Sequence, residues 1–275
     1  MGVLQGATEF LPVSSSGHLV LVPWLLGWPS PGLAFDAVVH WGTALAVIVY
    51  FWGEWVALLH AAVLSLEGVL PQSIRLREHT ASDSEGSGQG LLAWLILLGT
   101  IPGVLVGYFL EDFFESMFAR PAAAAGFLLV TAILLATSER LGRRERNMDD
   151  LRWLDALIVG TGQALAIFPG ISRSGTTIAA GLARGMRREP AAHFSFLLAT
   201  PIILGAGLLK IAELTQMAGW ASHAPALILG FVSSAAVGFV CVHLLLRYLQ
   251  RRRLYPFAIY CALFGTFSLL MSAMR

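Results

Sequence analysis

Glu9-Phe-Leu-Pro-Val-Ser-Ser-Ser-Gly-His18 is a polar break in an otherwise lipid-like chain, and Pro169-Gly-Ile-Ser-Arg-Ser-Gly-Thr-Thr177 is its near copy. An offset of 158 positions brings Gly2 onto Gly160, Gln5 onto Gln163 and Phe10 onto Phe168. The same offset brings Ser14, Ser16 and Gly17 onto Ser172, Ser174 and Gly175. A duplicated polar break at membrane depth is how many membrane proteins build one central site from two halves. The copies differ in their chemistry: one carries Glu9 and His18, the other Arg173. An acid, an imidazole, an arginine and several hydroxyls are a kit suited to phosphate.

Working outward, 56% of the 275 residues are hydrophobic and 13% are charged. That charged share is about half that of a soluble domain, and the mean hydropathy is +0.71. The composition is that of an integral membrane protein. A net charge of +1 gives no electrostatic footprint for nucleic acid, and none is expected as a partner. Cys241 and Cys261 fall in apolar stretches and read as small core residues, without disulfide or metal-site spacing. The N-terminus has no basic region ahead of its apolar run and carries Glu9 within it, so it does not read as a cleaved signal peptide.

A transmembrane helix needs about 20 mostly apolar residues. Six stretches meet or approach this: about 34–53, 91–110, 121–138, 190–210, 224–246 and 254–274. Residues 1–28 and 153–185 instead contain short apolar pieces, split at Pro12 to His18 and at Pro169 to Thr176. Each piece is too short to cross, and backbone in the breaks must be buried in protein or line a wet cavity. Both regions are expected as re-entrant helix–loop–helix hairpins. The expected fold is therefore an all-α polytopic membrane domain over 1–275, with six full spans and two re-entrant hairpins. The first repeat covers 1–138 with its hairpin at 1–28, and the second covers 153–275 with its hairpin at 153–185. Three spans per repeat is odd, so the second repeat enters inverted and the two polar loops meet near the bilayer midplane.

Arginine bias sets the expected orientation. Loops 54–90 and 139–152, residues 247–253, and Arg184, Arg187 and Arg188 share one side and hold most of the basic residues. That side is expected in the cytoplasm, with both termini and the mouth of the first hairpin facing outward. Residues 78–90 read as a flexible loop. Glu111, Asp112, Glu115 and Arg120 fall on the opposite side. Gly99, Gly103 and Gly107 recur every four residues; internal helix packing is favoured over a homodimer interface, which stays open.

Gln5 and Glu9 project from one helical face. A carboxylate at membrane depth costs about 2.5–3.5 kcal/mol on insertion scales and marks a functional candidate. With the Gln5 carbonyl it supplies oxygen ligands for a hard divalent cation, Mg²⁺ or Ca²⁺. Ser14, Ser15 and Ser16 precede His18 at a helix start, where free N–H groups attract anions and one serine serves as cap. His18 suits proton transfer to or from a serine hydroxyl, a water or a leaving phosphate. Ser172, Ser174, Thr176 and Thr177 line the partner loop, and the Arg173 fork suits two phosphate oxygens or neutralises Glu9. Gln163 mirrors Gln5. Asp36 and His40 are one turn apart and candidates for supporting or ion-path roles; His193 and His243 read as hydrogen-bonded helix residues, and Lys210 and Glu213 as snorkelling at a span end.

Gln5-Gly-Ala-Thr-Glu9, Phe10-Leu-Pro-Val-Ser-Ser-Ser-Gly-His18 and Pro169-Gly-Ile-Ser-Arg-Ser-Gly-Thr-Thr177 resemble the two signature motifs of the undecaprenyl-diphosphate phosphatases, the bacitracin-resistance membrane phosphatases. The similarity extends to the span layout. It implies hydrolysis of the C55 isoprenoid diphosphate to the monophosphate and inorganic phosphate, recycling the lipid carrier of cell-wall synthesis. It also implies a divalent cation, and a site open to the outer face of the bacterial inner membrane. On the matching motifs, Glu9, His18 and Arg173 stand where the family has its essential acid, histidine and arginine, and Ser14 and Ser15 at its serine pair. Gln5 departs from the second glutamate that many members carry there, which places metal and catalytic weight on Glu9.

The expected nucleophile is Ser15 or a water, two routes the sequence leaves open. The acid-phosphatase-like lipid phosphatases also use a Ser-Gly-His string, but need a histidine where Ala179 stands. The alternative is a lipid-phosphate flippase, because inverted repeats with broken helices suit alternating access. Polar loops carrying both charge signs argue against an ion channel.

Overall fold

The computed structural model describes residues 1–30, 32–67, 82–110, 117–216 and 220–275, with side chains left out for Leu33, residues 66–67, 82–87, 209–216 and 220–222. Its elements are helical: α1 (Gly2–Phe10), α2 (Ser15–Leu26), α3 (Leu33–Tyr50), α4 (Trp52–Glu67), α5 (Ser82–Phe109), α6 (Pro121–Leu141), α7 (Trp153–Leu165), α8 (Arg173–Ala183), α9 (Arg188–Gln216), α10 (Trp220–Leu249) and α11 (Tyr255–Met274). Five segments are long and apolar enough to cross a bilayer: Gly88–Phe109, Pro121–Leu141, Arg188–Leu208, His223–Leu249 and Tyr255–Met274. Among the described residues the pair α3–α4, bent by 82° at its break, makes a sixth if it is counted as one span. Large apolar side chains such as Ile133, Leu229 and Leu263 point outward while Gln5, Glu9 and Gln163 are buried. That inside-out distribution is what a lipid solvent selects.

Both breaks fall where the sequence places them, with slightly different edges. α1 stops because Leu11 precedes a proline and takes an extended conformation, φ −61° and ψ 135°. Ser14 caps α2 with a left-handed φ of 69°, its hydroxyl accepting from Gly17 N–H at 3.2 Å. α2 begins at Ser15, so Ser16, Gly17 and His18 lie on the helix and not in the break. In the second copy the break is 166–172, and Ser172 caps α8 by accepting from Gly175 N–H at 3.0 Å. Gly170 there has φ 102°, and a β-carbon on it would sit 2.1 Å from the Ala124 carbonyl oxygen.

The loops differ more from expectation. Residues 54–90 were expected as a loop, yet 54–67 belong to α4 and 82–90 to α5. The physical reason for α4 is that Leu58 and Ala61 bury against α5 while Val56, Leu59 and Val63 stay exposed. Of the segment expected to be flexible, 78–81 lie outside the described residues. So do Arg75, Arg77, Glu111, Asp112 and Glu115, together with the Lys210 and Glu213 side chains. Residues 139–152 contain the end of α6 and a 3-10 turn at Met148–Asp150. Several of the arginines used for orientation are also structural. Arg144 and Arg188 hold buried Glu139, and Arg146 and Arg184 hold buried Asp155, each of the latter two at 2.6 Å.

Helices distant in sequence pack closely. α1 packs on α10, where Gly2 approaches Gly230 and Gly6 approaches Ser234 and Gly238; α7 packs on α5, where Gly160 meets Gly99 backbone to backbone. The α5 glycine stripe thus packs internally. Cys261 is buried with its thiol turned to the Pro12 carbonyl, and both cysteines are free.

Candidate active site

The two helix starts face each other across a backbone contact. Gly17 lies so close to Gly170 that a β-carbon would be 3.0 Å from the Gly170 Cα. Gly170 N–H approaches the Ser16 hydroxyl at 3.4 Å, and the Ser174 hydroxyl donates to the Leu11 carbonyl at 3.2 Å. From behind, Thr131 in α6 fixes the second loop. Its hydroxyl donates to the Gly170 carbonyl and accepts from Ser172 N–H, both at 3.0 Å.

Glu9, at 6% exposure, is the hub. One carboxylate oxygen accepts from the Ser15 hydroxyl at 2.5 Å and from the Gln5 amide at 2.8 Å, with His40 Nε2 at 3.5 Å. The other oxygen pairs with the Arg173 guanidinium. A buried carboxylate is tolerated when it is paired and fully hydrogen-bonded, and these four neighbours come from α1, α2, α3 and α8. Both helix N-termini carry N–H groups without intrahelical partners, presented beside the ion pair.

Not every expected residue joins this cluster. His18 is buried, but Nδ1 meets the Ser14 carbonyl at 2.7 Å and Nε2 meets the Tyr260 hydroxyl at 2.6 Å. The hydroxyl partner of Ser15 is Glu9 and not the imidazole. Ser14 and Ser16 approach each other at 3.3 Å, and Ser172 and Ser174 at 3.2 Å. Thr176 and Thr177 donate back to helix carbonyls at Ser172 and Arg173, and Thr177 also meets Ser195 at 2.6 Å. Gln163 lies against α5 at Gly103, with both amide atoms buried and without hydrogen bonds. His193 bonds Glu54 and His243 bonds Tyr50. Sequence reasoning did not single out Tyr260 or Thr131. Each is one of several polar residues in a full span, and only the fold brings it to a loop.

A divalent cation finds few protein ligands. Among the described residues no three His, Cys, Asp or Glu side chains are grouped to hold one. The Gln5 carbonyl oxygen, however, is buried and without a partner beside Glu9. One carboxylate and one carbonyl fit an ion that takes its other ligands from phosphate and water, as Mg²⁺ commonly does. They do not fit an all-protein cage.

Fold and site together define an integral membrane protein whose buried serine–carboxylate–arginine centre is assembled from two broken helical hairpins. The chain belongs to a known family: the pattern described as bacitracin resistance protein BacA matches residues 1–267. Among curated relatives, a protein named undecaprenyl-diphosphatase from Desulforudis audaxviator (strain MP104C) is 42% identical over 275 residues, covering 100% of this chain and 97% of the relative. Its namesake from Pelotomaculum thermopropionicum is 40% identical over 275 residues, covering 100% and 96%. The one from Methanosphaera stadtmanae is 43% identical over 277 residues, covering 99% and 96%.

Proposed function

We propose that the protein hydrolyses undecaprenyl diphosphate to undecaprenyl phosphate and inorganic phosphate. The observation that carries this reading is Ser15 donating to Glu9 while Arg173 neutralises the same carboxylate. A serine paired with a base is an activated nucleophile, and a guanidinium beside it binds phosphoryl oxygens. The isoprenyl chain lies along the apolar exterior and its diphosphate enters between the two hairpins. Ser15 Oγ attacks the terminal phosphorus as its proton passes to Glu9. The bond to the bridging oxygen breaks, and undecaprenyl phosphate leaves. Arg173 and the α2 and α8 N-termini hold the oxygens as charge shifts to the leaving group. Water then releases phosphate from Ser15, returning the proton to the serine. Glu9 and the Gln5 carbonyl would hold a divalent cation, which would supply charge neutralisation to the diphosphate.

The reading extends to topology and setting. The exchanged packing of α1 on α10 and α7 on α5 supports an inverted repeat with re-entrant hairpins. The arginine-rich face lies in the cytoplasm and the site opens to the outer side of the bacterial inner membrane. There the reaction recycles the lipid carrier of cell-wall synthesis and gives bacitracin resistance. The flippase alternative gains no support from the relatives, whose names describe a diphosphatase.

The test is phosphate release from undecaprenyl diphosphate by purified protein with Mg²⁺ or Ca²⁺ and with chelator, beside Ser15→Ala and Glu9→Gln. Cation-dependent release, lost in both variants, is the expected result. Full release by Ser15→Ala transfers the nucleophile to water. No release by folded wild-type protein defeats the reading.

A further inference from the structure

Tyr260 in α11 touches the site at Nε2 of His18, a ring that the reaction above leaves unused. The Ser14 carbonyl oxygen only accepts, so the His18 Nδ1 facing it at 2.7 Å carries the proton. In the neutral ring Nε2 is then the acceptor, and the Tyr260 hydroxyl donates to it at 2.6 Å. The imidazole also stacks on Phe264, centroids 4.9 Å apart and planes 18° apart, which fixes its plane. Ser14 is held at φ 69°, a conformation that non-glycine residues avoid. Its carbonyl belongs to the peptide that leads directly into Ser15. A chain of contacts therefore runs from Tyr260 through His18 and the Ser14 carbonyl to the nucleophile.

We propose that Tyr260 is a positioning residue for this hydrolysis. It locks His18 in the Nδ1–H tautomer, and His18 in turn holds the start of α2 so that the Ser15 hydroxyl meets Glu9. This rests on the phosphatase reading. It assigns His18 a clamping role, with proton transfer from Ser15 left to Glu9. The device also joins the last span to the first hairpin, so the nucleophile is aimed from the far end of the chain.

Tyr260→Phe keeps the ring that stacks near His18 and removes only the hydroxyl. Steady-state phosphate release is expected to show kcat lowered roughly 10- to 100-fold, the order that misplacement of a reacting group produces, with KM within about twofold. In protein labelled with ¹⁵N-histidine, the His18 signals are assigned by their loss in His18→Gln. They should report a single Nδ1–H tautomer in wild type and a displaced Nε2 signal in Tyr260→Phe. Phe264→Leu, which removes a stack but no hydroxyl, should leave the tautomer unchanged. A wild-type kcat, or a lowered kcat with an unmoved His18 spectrum, overturns the proposal. Absence of phosphate release from wild-type protein defeats the phosphatase reading instead, and the spectra still test the Tyr260–His18 bond by themselves.

Discussion

Removing Arg173 should destabilise the protein, and removing Glu9 as well should restore much of the loss. The Glu9 side chain is 3% exposed and that of Arg173 is 20% exposed, so their ion pair lies in a poorly solvated centre. Breaking a buried pair from one side costs about 3–5 kcal/mol, because the remaining charge has no counterion. In Arg173→Met the carboxylate keeps its hydrogen bonds from Ser15 and Gln5. Those two donors place the expected cost at the lower end, about 3 kcal/mol. Glu9→Gln in the Arg173→Met background removes the stranded charge, and most of that cost should return. The assay is chemical denaturation in mixed micelles, followed by tryptophan fluorescence. Phosphate release serves as a separate readout and should be near background in both single variants and in the double. An Arg173→Met protein as stable as wild type would refute the reasoning, as would a double variant no more stable than Arg173→Met.

Three further outcomes follow from the loops. Gly170→Ala forces a β-carbon to 2.1 Å from the Ala124 oxygen at φ 102°, and should cost about 3 kcal/mol or more; the measurement is the yield of monodisperse protein in detergent. Thr131→Val keeps the shape but strands Ser172 N–H and the Gly170 carbonyl, for about 2 kcal/mol in the denaturation midpoint. Asp155, at the arginine-rich end of α7 and outside the five spans, gives a pH dependence. Burial pushes its carboxyl up, but hydrogen bonds from Arg146, Arg184 and the Arg152 N–H outweigh this and hold it at about 2, against an ordinary 3.8. A lowered folded value stabilises above the unfolded one, so this contribution is complete above about pH 4 and fades as pH falls through about 2. Asp155→Asn should be less stable than wild type at neutral pH, with the difference shrinking across that window.

The membrane class, the two breaks and the hub residues were legible because each breaks a strong rule. An acid and an arginine interrupt apolar runs where ionisable groups are costly, and each run is too short to cross by itself. A serine cap ahead of His18 follows from helix-start chemistry and Ser14 supplies it, while the matching cap at Ser172 emerged only from the structure. The helical character of 54–67 was hidden because this apolar stretch between Glu54 and Glu67 is too short to cross a bilayer by itself, while its burial against α5 depends on tertiary packing. His18 was legible as a site neighbour but not in its direction. Sequence spacing places a side chain on a helix face and says nothing of the tyrosine 242 residues away that captures its second nitrogen.

The docking of α1 on α10 sets a timetable for synthesis. The surface on α10 that receives Gly2 and Gly6 includes Gly230, Ser234 and Gly238. At about 5–20 residues per second, the ribosome reaches that surface roughly 10–50 seconds after making α1. Through that interval Glu9 lacks its docking helix, and for most of it Arg173 has not yet been made. The first hairpin must therefore wait unseated at the edge of the bilayer, sheltered by the insertion machinery or by water, until nearly the whole chain exists. The serine–glutamate–arginine centre is consequently among the last features of the molecule to form, and truncated products lack it altogether.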